Sequence, residues 1–282
     1  MSHILPRLPS IDRNSPRPLF GLSLSYPAPG IIERIGAAWD WFWIDAQHGE
    51  LDFPATVELV RAADFIGVPG LVRIPTIDPT WVSKILDAGA AGVIVPMVET
   101  LEEAKSMVLA AKFPPIGNRS FGGLRVATRN GSDYYKTANR ETVLILQLES
   151  NEAVALADQF AAMEGVDGLF IGPDDLVIRN GHEITVPKDM ALIGRQTETV
   201  ARACRRHRKL NVGLAGNDVG LDMAKRFGHD LVVGGGEFFL LQAASEARIQ
   251  KMYEYFGLAA PGGAGAKAAR AKPAKPAGKK KK

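Results

Sequence analysis

The chain has 282 residues, 46% hydrophobic and 23% charged, with a formal net charge of +3. This is an ordinary globular mix, long enough for a sizeable core in one large domain or two small ones. It holds no apolar run near the ~20 residues that cross a bilayer. Residues 1–18 show no secretory signal pattern, and the single cysteine, Cys204, excludes an internal disulfide or a cysteine-based zinc site, so the expected compartment is the cytoplasm.

Residues 1–18, with Pro6, Pro9, Pro16 and Pro18, read as an extended arm. From there an apolar, β-branched run alternates with a helical stretch. The runs are Phe20–Tyr26, Trp41–Asp45, Gly70–Pro75, Gly92–Val98, Thr142–Glu149, Val166–Gly172, Asn211–Gly216 and Asp230–Gly235. Their unbroken apolar character suits parallel strands buried on both faces. The helices expected between them are Pro54–Ile66, Pro79–Ala88 behind Asp78, and Thr100–Lys112 with a Thr100–Glu103 capping box. Asn151–Met163, Met190–Arg208, Asp218–Phe227 and Glu237–Tyr255 follow. Two loops are long, Pro114–Arg140 and Gly172–Asp189, and long loops on such scaffolds tend to carry function.

Eight β/α units in roughly 240 residues predict an α/β fold, a (β/α)8 TIM barrel over residues 19–258. A doubly wound open sheet ranks second, and no G-x-G-x-x-G follows the first strand. Residues 259–282 are a Lys/Ala/Pro-rich tail with eight basic residues and no acid. Without them, 26 basic residues face 31 acidic ones, so the body is mildly acidic at −5. The tail lacks the apolar surface to offset its ordering entropy and reads as disordered. It is either a solubilising appendage or an arm for nucleic acid or another polyanion.

A barrel carries its chemistry at the C-terminal ends of its strands. Four predicted strands end in capable groups: Asp45 to His48, Arg73, Gln147 with Glu149, and Gly172 to Asp175. Glu149 and Asp175 are hard oxygen donors from adjacent strands, suited to Mg²⁺ or Mn²⁺ and poorly matched to structural zinc. Asp174 competes with Asp175 as helix cap or ligand. Arg73 offers a fixed fork for a carboxylate or an enolate oxygen. His48 is the natural general base, with Asp45 placed to hold its ring. Together they suggest chemistry beside a carbonyl through a metal-stabilised enolate. No lysine falls inside a strand near that rim, which disfavours a Schiff-base route. His182 is a weaker candidate. Gly234-Gly235-Gly236 resembles a barrel phosphate site only faintly.

At these residues the sequence resembles the HpcH/HpaI aldolase family, the metal-dependent class II pyruvate aldolases that include 2,4-dihydroxyhept-2-ene-1,7-dioate aldolase. The similar stretches are Trp41–Gly49, Leu71–Pro75, Leu86–Val98, Lys112–Gly123, Gln147–Glu149 and Gly165–Leu176. The resemblance implies a barrel, usually hexameric, whose last helix packs on a neighbouring subunit. It implies Mg²⁺, Mn²⁺ or Co²⁺ on Glu149 and Asp175, and an acid–base His48 paired with Asp45. It places Arg73 on pyruvate and its enolate, with Gln147 lining the site. Backbone at Gly172 and Pro173 would meet the pyruvate carboxylate, and Asp87 would reach a neighbour's site. Gln47 departs from the glutamate of many members, and Phe121–Asn130 departs from the aldehyde-side loop, though Arg119-Ser120 is kept.

The expected activity is cleavage of a 4-hydroxy-2-oxo acid to pyruvate and an aldehyde. Oxaloacetate decarboxylation, or cleavage of a CoA ester as in the citrate lyase beta subunit, would use the same core. A non-enzymatic scaffold carrying a polyanion-binding tail is the third reading.

Overall fold

In a computed structural model of the chain, residues 5–9, 17–185 and 190–259 are described. The strands are β1 (Leu19–Leu24), β2 (Trp41–Asp45), β3 (Gly70–Arg73), β4 (Gly92–Val95), β5 (Val143–Leu148), β6 (Gly168–Ile171), β7 (Leu210–Leu214) and β8 (Leu231–Gly236). They close into a parallel barrel in chain order, and closure rules out the open sheet. Each predicted run overlaps its strand; five runs contain it whole, and β1, β7 and β8 each reach one residue beyond the predicted run.

The barrel interior is filled by Leu19, Trp41, Trp43, Leu71, Ile145 and Phe170, among others. A second, larger apolar layer lies between the outer strand faces and the helices. Burial on both faces is what made the strands read as continuous apolar runs.

The helices are α1 (Pro29–Ile35), α2 (Phe53–Phe65), α3 (Pro79–Ala88), α4 (Leu101–Ala111), α5 (Leu124–Asn130), α6 (Tyr135–Glu141), α7 (Asn151–Ala155), α8 (Ala157–Ala162), α9 (Pro173–Arg179), α10 (Met190–His207), α11 (Asp218–Phe227) and α12 (Glu237–Tyr255). Local chemistry starts the expected ones. The Asp78 side chain accepts from Thr80 N–H at the head of α3, and Thr100 and Glu103 close the capping box of α4. The stretch Asn151–Met163 is two short helices, broken at Leu156. The long loop Pro114–Arg140 contains α5 and most of α6, and the loop after β6 contains α9.

Ahead of β1, Leu5 is buried with Phe113, Val126 and Tyr134, and Leu8 packs on the barrel-interior cluster. The chain divides into two compact units, one through Glu237 and one from Phe238 onward. The second unit is the body of α12, with Phe239, Leu241, Tyr255 and Phe256 all more than half exposed. Residues 260–282, expected to be disordered, lie outside the described residues. Among the described residues no helix is long and apolar enough to cross a membrane.

Candidate active site

The strand register builds the site. β2 and β3 place Asp45 beside Arg73. Arg73 Nε donates to Asp45 Oδ1 at 2.8 Å, and Nη2 donates to Oδ2 at 2.5 Å. This is the bidentate pairing a guanidinium favours. Arg73 Nη1 donates to Gln147 Oε1 at 3.4 Å. The guanidinium carbon also lies 4.5 Å from the centre of the Trp43 ring, a cation–π contact. Trp43 in turn meets Phe170 edge-on at 5.4 Å. The barrel's aromatic core is thus the floor under Arg73.

Gln147 and Glu149 share one face of β5 and its extension, as the two-residue period predicts. Gln147 Nε2 donates to Glu149 Oε1 at 2.7 Å, and the Met97 N–H donates to Glu149 Oε2 at 2.8 Å. Met97 holds φ of 54°, a left-handed backbone that a non-glycine residue adopts at a cost. That turn sits directly after β4 and carries the donor to the carboxylate. Gly172 covers the other side. A Cβ there would lie 2.5 Å from both Cγ and Oε1 of Glu149, so only glycine fits.

Pro173 opens α9, with Asp174 and Asp175 in its first turn. Gly172 caps that helix with no side-chain bond, so neither aspartate is its cap. Burial pushes the Glu149 carboxyl above the ordinary carboxylate range, and the charge of Asp175 adds to this. The Met97 N–H, Arg73 and Arg179 pull it back down. A buried carboxylate facing a second negative charge is the arrangement a divalent cation relieves. Among the described residues no cluster of three or more His, Cys, Asp or Glu side chains is placed to hold a metal. Two carboxylates supply only part of a divalent cation's oxygen shell, and Mg²⁺ and Mn²⁺ are ions that complete such a shell with water and substrate oxygens.

His48 stands exposed at the mouth of the barrel. Its ring makes no hydrogen bond among the described residues. Asp45 was expected to hold that ring, but its carboxylate is committed to Arg73. It meets His48 only through the backbone, where Oδ1 accepts the N–H groups of Gln47 at 3.1 Å and His48 at 3.3 Å. Asp87 does not join the other site residues. It lies near the C-terminal end of α3, at the opposite end of the barrel, where Arg119 Nη2 donates to it at 2.7 Å.

The remaining candidates fall away. Lys112 is fully buried, but its Nζ is spent on Asn139 O, Thr142 O and Asp167 Oδ2. His182 lies exposed beyond α9, and His207 pairs with Asp158 at 3.2 Å. Burial lowers the pKa of His229 to about 4, and neither ring nitrogen has a partner among the described residues. The glycines of β8 run directly into the buried Glu237, whose negative charge opposes a phosphate there. Sequence reasoning missed two contributors: the Trp43 floor and the Met97 N–H. Trp43 entered the sequence reading only as part of the run Trp41–Asp45.

Known proteins share this plan. A 4-hydroxy-2-oxovalerate aldolase of Novosphingobium aromaticivorans is 38% identical over 164 residues, covering 57% of this chain and 62% of that protein, so the match spans less than two thirds of that relative. A hydroxypyruvate/pyruvate aldolase of Chromohalobacter salexigens is 33% identical over 242 residues, 82% of this chain and 90% of its own length. The solved structure of an HpcH/HpaI aldolase/citrate lyase family protein from Burkholderia cenocepacia superposes with a TM-score of 0.76 at 30% identity, covering 84% of this chain and 95% of that one. The family model for HpcH/HpaI aldolase/citrate lyase matches residues 26–212, a span holding every rim residue from Asp45 to Asp175. With the closed barrel and that spacing both present, the chain belongs to the HpcH/HpaI aldolase/citrate lyase family.

Proposed function

We propose that this chain is a divalent-metal-dependent carbon–carbon lyase that cleaves a 4-hydroxy-2-oxo acid to pyruvate and an aldehyde. The observation that carries the reading is the single connected network Asp45–Arg73–Gln147–Glu149, closed by Asp175, on one barrel rim. Glu149 and Asp175 would hold Mg²⁺, Mn²⁺ or Co²⁺, which supplies Lewis acidity toward the carboxylate and keto oxygens of the 2-oxo acid.

The protein's own groups do the rest. Arg73, fixed on three sides, binds the pyruvyl half and offsets the negative charge that grows on its keto oxygen. Backbone at Gly172 and Pro173 meets the pyruvate carboxylate, and Gln147 lines the same half. His48 takes the C4 hydroxyl proton. The C3–C4 bond then breaks, and its electron pair passes to C3 and the keto oxygen. The aldehyde leaves, and C3 takes up a proton to give pyruvate.

The protein works as a homo-oligomer, a hexamer by family likeness. The exposed apolar side chains of α12 support this, since an uncovered strip of that kind favours a partner. Asp87, paired with Arg119 away from its own rim, serves a neighbouring subunit's site. The cytoplasm is the working compartment, and any nucleic acid or other polyanion would be met through the basic residues of 260–282.

The test is pyruvate release from a panel of 4-hydroxy-2-oxo acids and from oxaloacetate. EDTA is added, and Mg²⁺, Mn²⁺ or Co²⁺ is then restored. Release abolished by EDTA and regained with metal supports the reading. Release from oxaloacetate alone makes the chain a decarboxylase, and no release from any acid overturns the proposal. The variants Glu149→Ala and Asp175→Ala should fold and lose both metal binding and turnover. Full activity in either removes the metal assignment.

A further inference from the structure

Glu237 is a buried carboxylate that the mechanism above does not use. It follows β8 at the same barrel end as the site and is 1% exposed. Its Oε1 accepts two backbone N–H groups from the loop after β1, Ser25 at 2.5 Å and Tyr26 at 2.9 Å. Its Oε2 has no donor among the described residues.

The contacts continue from that loop to the next. The Ser25 carbonyl accepts the Glu50 N–H at 2.8 Å, and Glu50 lies in the loop after β2. Gly49 is pressed into the same junction. A Cβ at Gly49 would lie 2.8 Å from Ser25 O and 2.3 Å from Asp45 O. Its own N–H donates to Asp45 O at 3.0 Å. His48 is the residue immediately before. Its ring has no hydrogen-bond partner among the described residues, so its place is set by the backbone it hangs from. That backbone is held on one side by Asp45 and on the other by Ser25, and Ser25 is held by Glu237.

We propose that Glu237 is a positioning residue for His48, acting through the β1 and β2 loops. The inference rests on the reading that His48 moves the C4 hydroxyl proton. It adds a residue 189 positions later in sequence to the machinery of that step. A base displaced by about 1 Å can lose on the order of a hundredfold in rate. Loss of the anchor should therefore fall on proton transfer and spare the groups that bind the pyruvyl half.

The experiment compares Glu237→Ala, Glu237→Gln and His48→Ala with the unaltered protein. Glu237→Gln keeps an Oε1 acceptor for both N–H groups. In Glu237→Ala the kcat for aldol cleavage should fall by roughly 10- to 100-fold. KM and Mn²⁺ affinity should hold. Oxaloacetate decarboxylation has no hydroxyl proton to remove and should stay within about twofold, since it draws only on the groups that stabilise the transition-state charge. Glu237→Gln should recover most of the loss. Adding Glu237→Ala to His48→Ala should cost little more, because the two act as one unit.

Parallel loss of cleavage and decarboxylation would show a merely structural role and overturn the proposal. So would additive losses in the double variant, or full cleavage in Glu237→Ala. Backbone amide exchange at Gly49 and Glu50 tests the clamp without any turnover. Faster exchange in Glu237→Ala supports it, and unchanged exchange overturns it, whatever reaction the site performs.

Discussion

His229 should make this protein lose stability in mild acid, and its surroundings set the size of the loss. The residue is 6% exposed, and both ring nitrogens are buried without partners among the described residues. Burial disfavours the charged ring and lowers its pKa from 6.5 to about 4. Above pH ~6.5 the ring is neutral in both folded and unfolded chains, and its contribution to stability is fully present. Between ~6.5 and about 4 the unfolded chain binds a proton that the folded chain refuses, so stability falls as pH falls. The difference corresponds to roughly 3 kcal/mol, at about 1.4 kcal/mol per pH unit. Replacing the ring by an apolar side chain loses no hydrogen bond to the described residues. His229→Leu should therefore be close to neutral at pH 7.5 and should flatten the acid limb. The assay is urea unfolding at half-unit steps from pH 7.5 to 4.5 for both proteins. Curves that fall in parallel through that window would refute the reasoning.

Three further outcomes are expected. Gly172→Ala forces a Cβ against Glu149, so Mn²⁺ affinity measured by titration calorimetry should weaken at least about tenfold, at a folding cost of ~1–3 kcal/mol. Trp43→Leu removes the ring beneath Arg73 and should raise the pyruvate-side KM by roughly 5- to 30-fold, worth about 1–2 kcal/mol, while Trp43→Phe keeps much of the contact. Lys112→Met breaks a buried ion pair and should cost about 3 kcal/mol of stability, Asp167 being partly exposed, with kcat per folded molecule unchanged. A fall in kcat there would make Lys112 more than structural.

What the sequence reveals here follows the distance over which each feature is determined. The strands were legible because burial on both faces writes itself as a local apolar run. Asp78 and Thr100 announced their helices because a cap acts within one turn. The seven-residue helices α1, α5, α6 and α9 carry too little periodicity to stand out from loop. The rim residues could be listed because barrels place chemistry at strand ends, but their pairing could not. Asp45 and His48 are three apart and invite a local pair, whereas the β2–β3 register hands Asp45 to Arg73. Glu237 was invisible for the same reason. It meets Ser25 across 212 residues, and no local pattern encodes that contact.

The donor at Met97 has a consequence for how this site can change. The group that steadies Glu149 is main chain, reached through a turn with positive φ. Every amino acid except proline supplies that N–H. Point mutation at position 97 can therefore alter the side chain facing outward while the carboxylate keeps its donor. Glycine there would also shed the conformational cost. The rim thus separates a heritable constant from a freely varying surface at one residue. Drift at Met97 can explore new contacts without first dismantling the acid beside it.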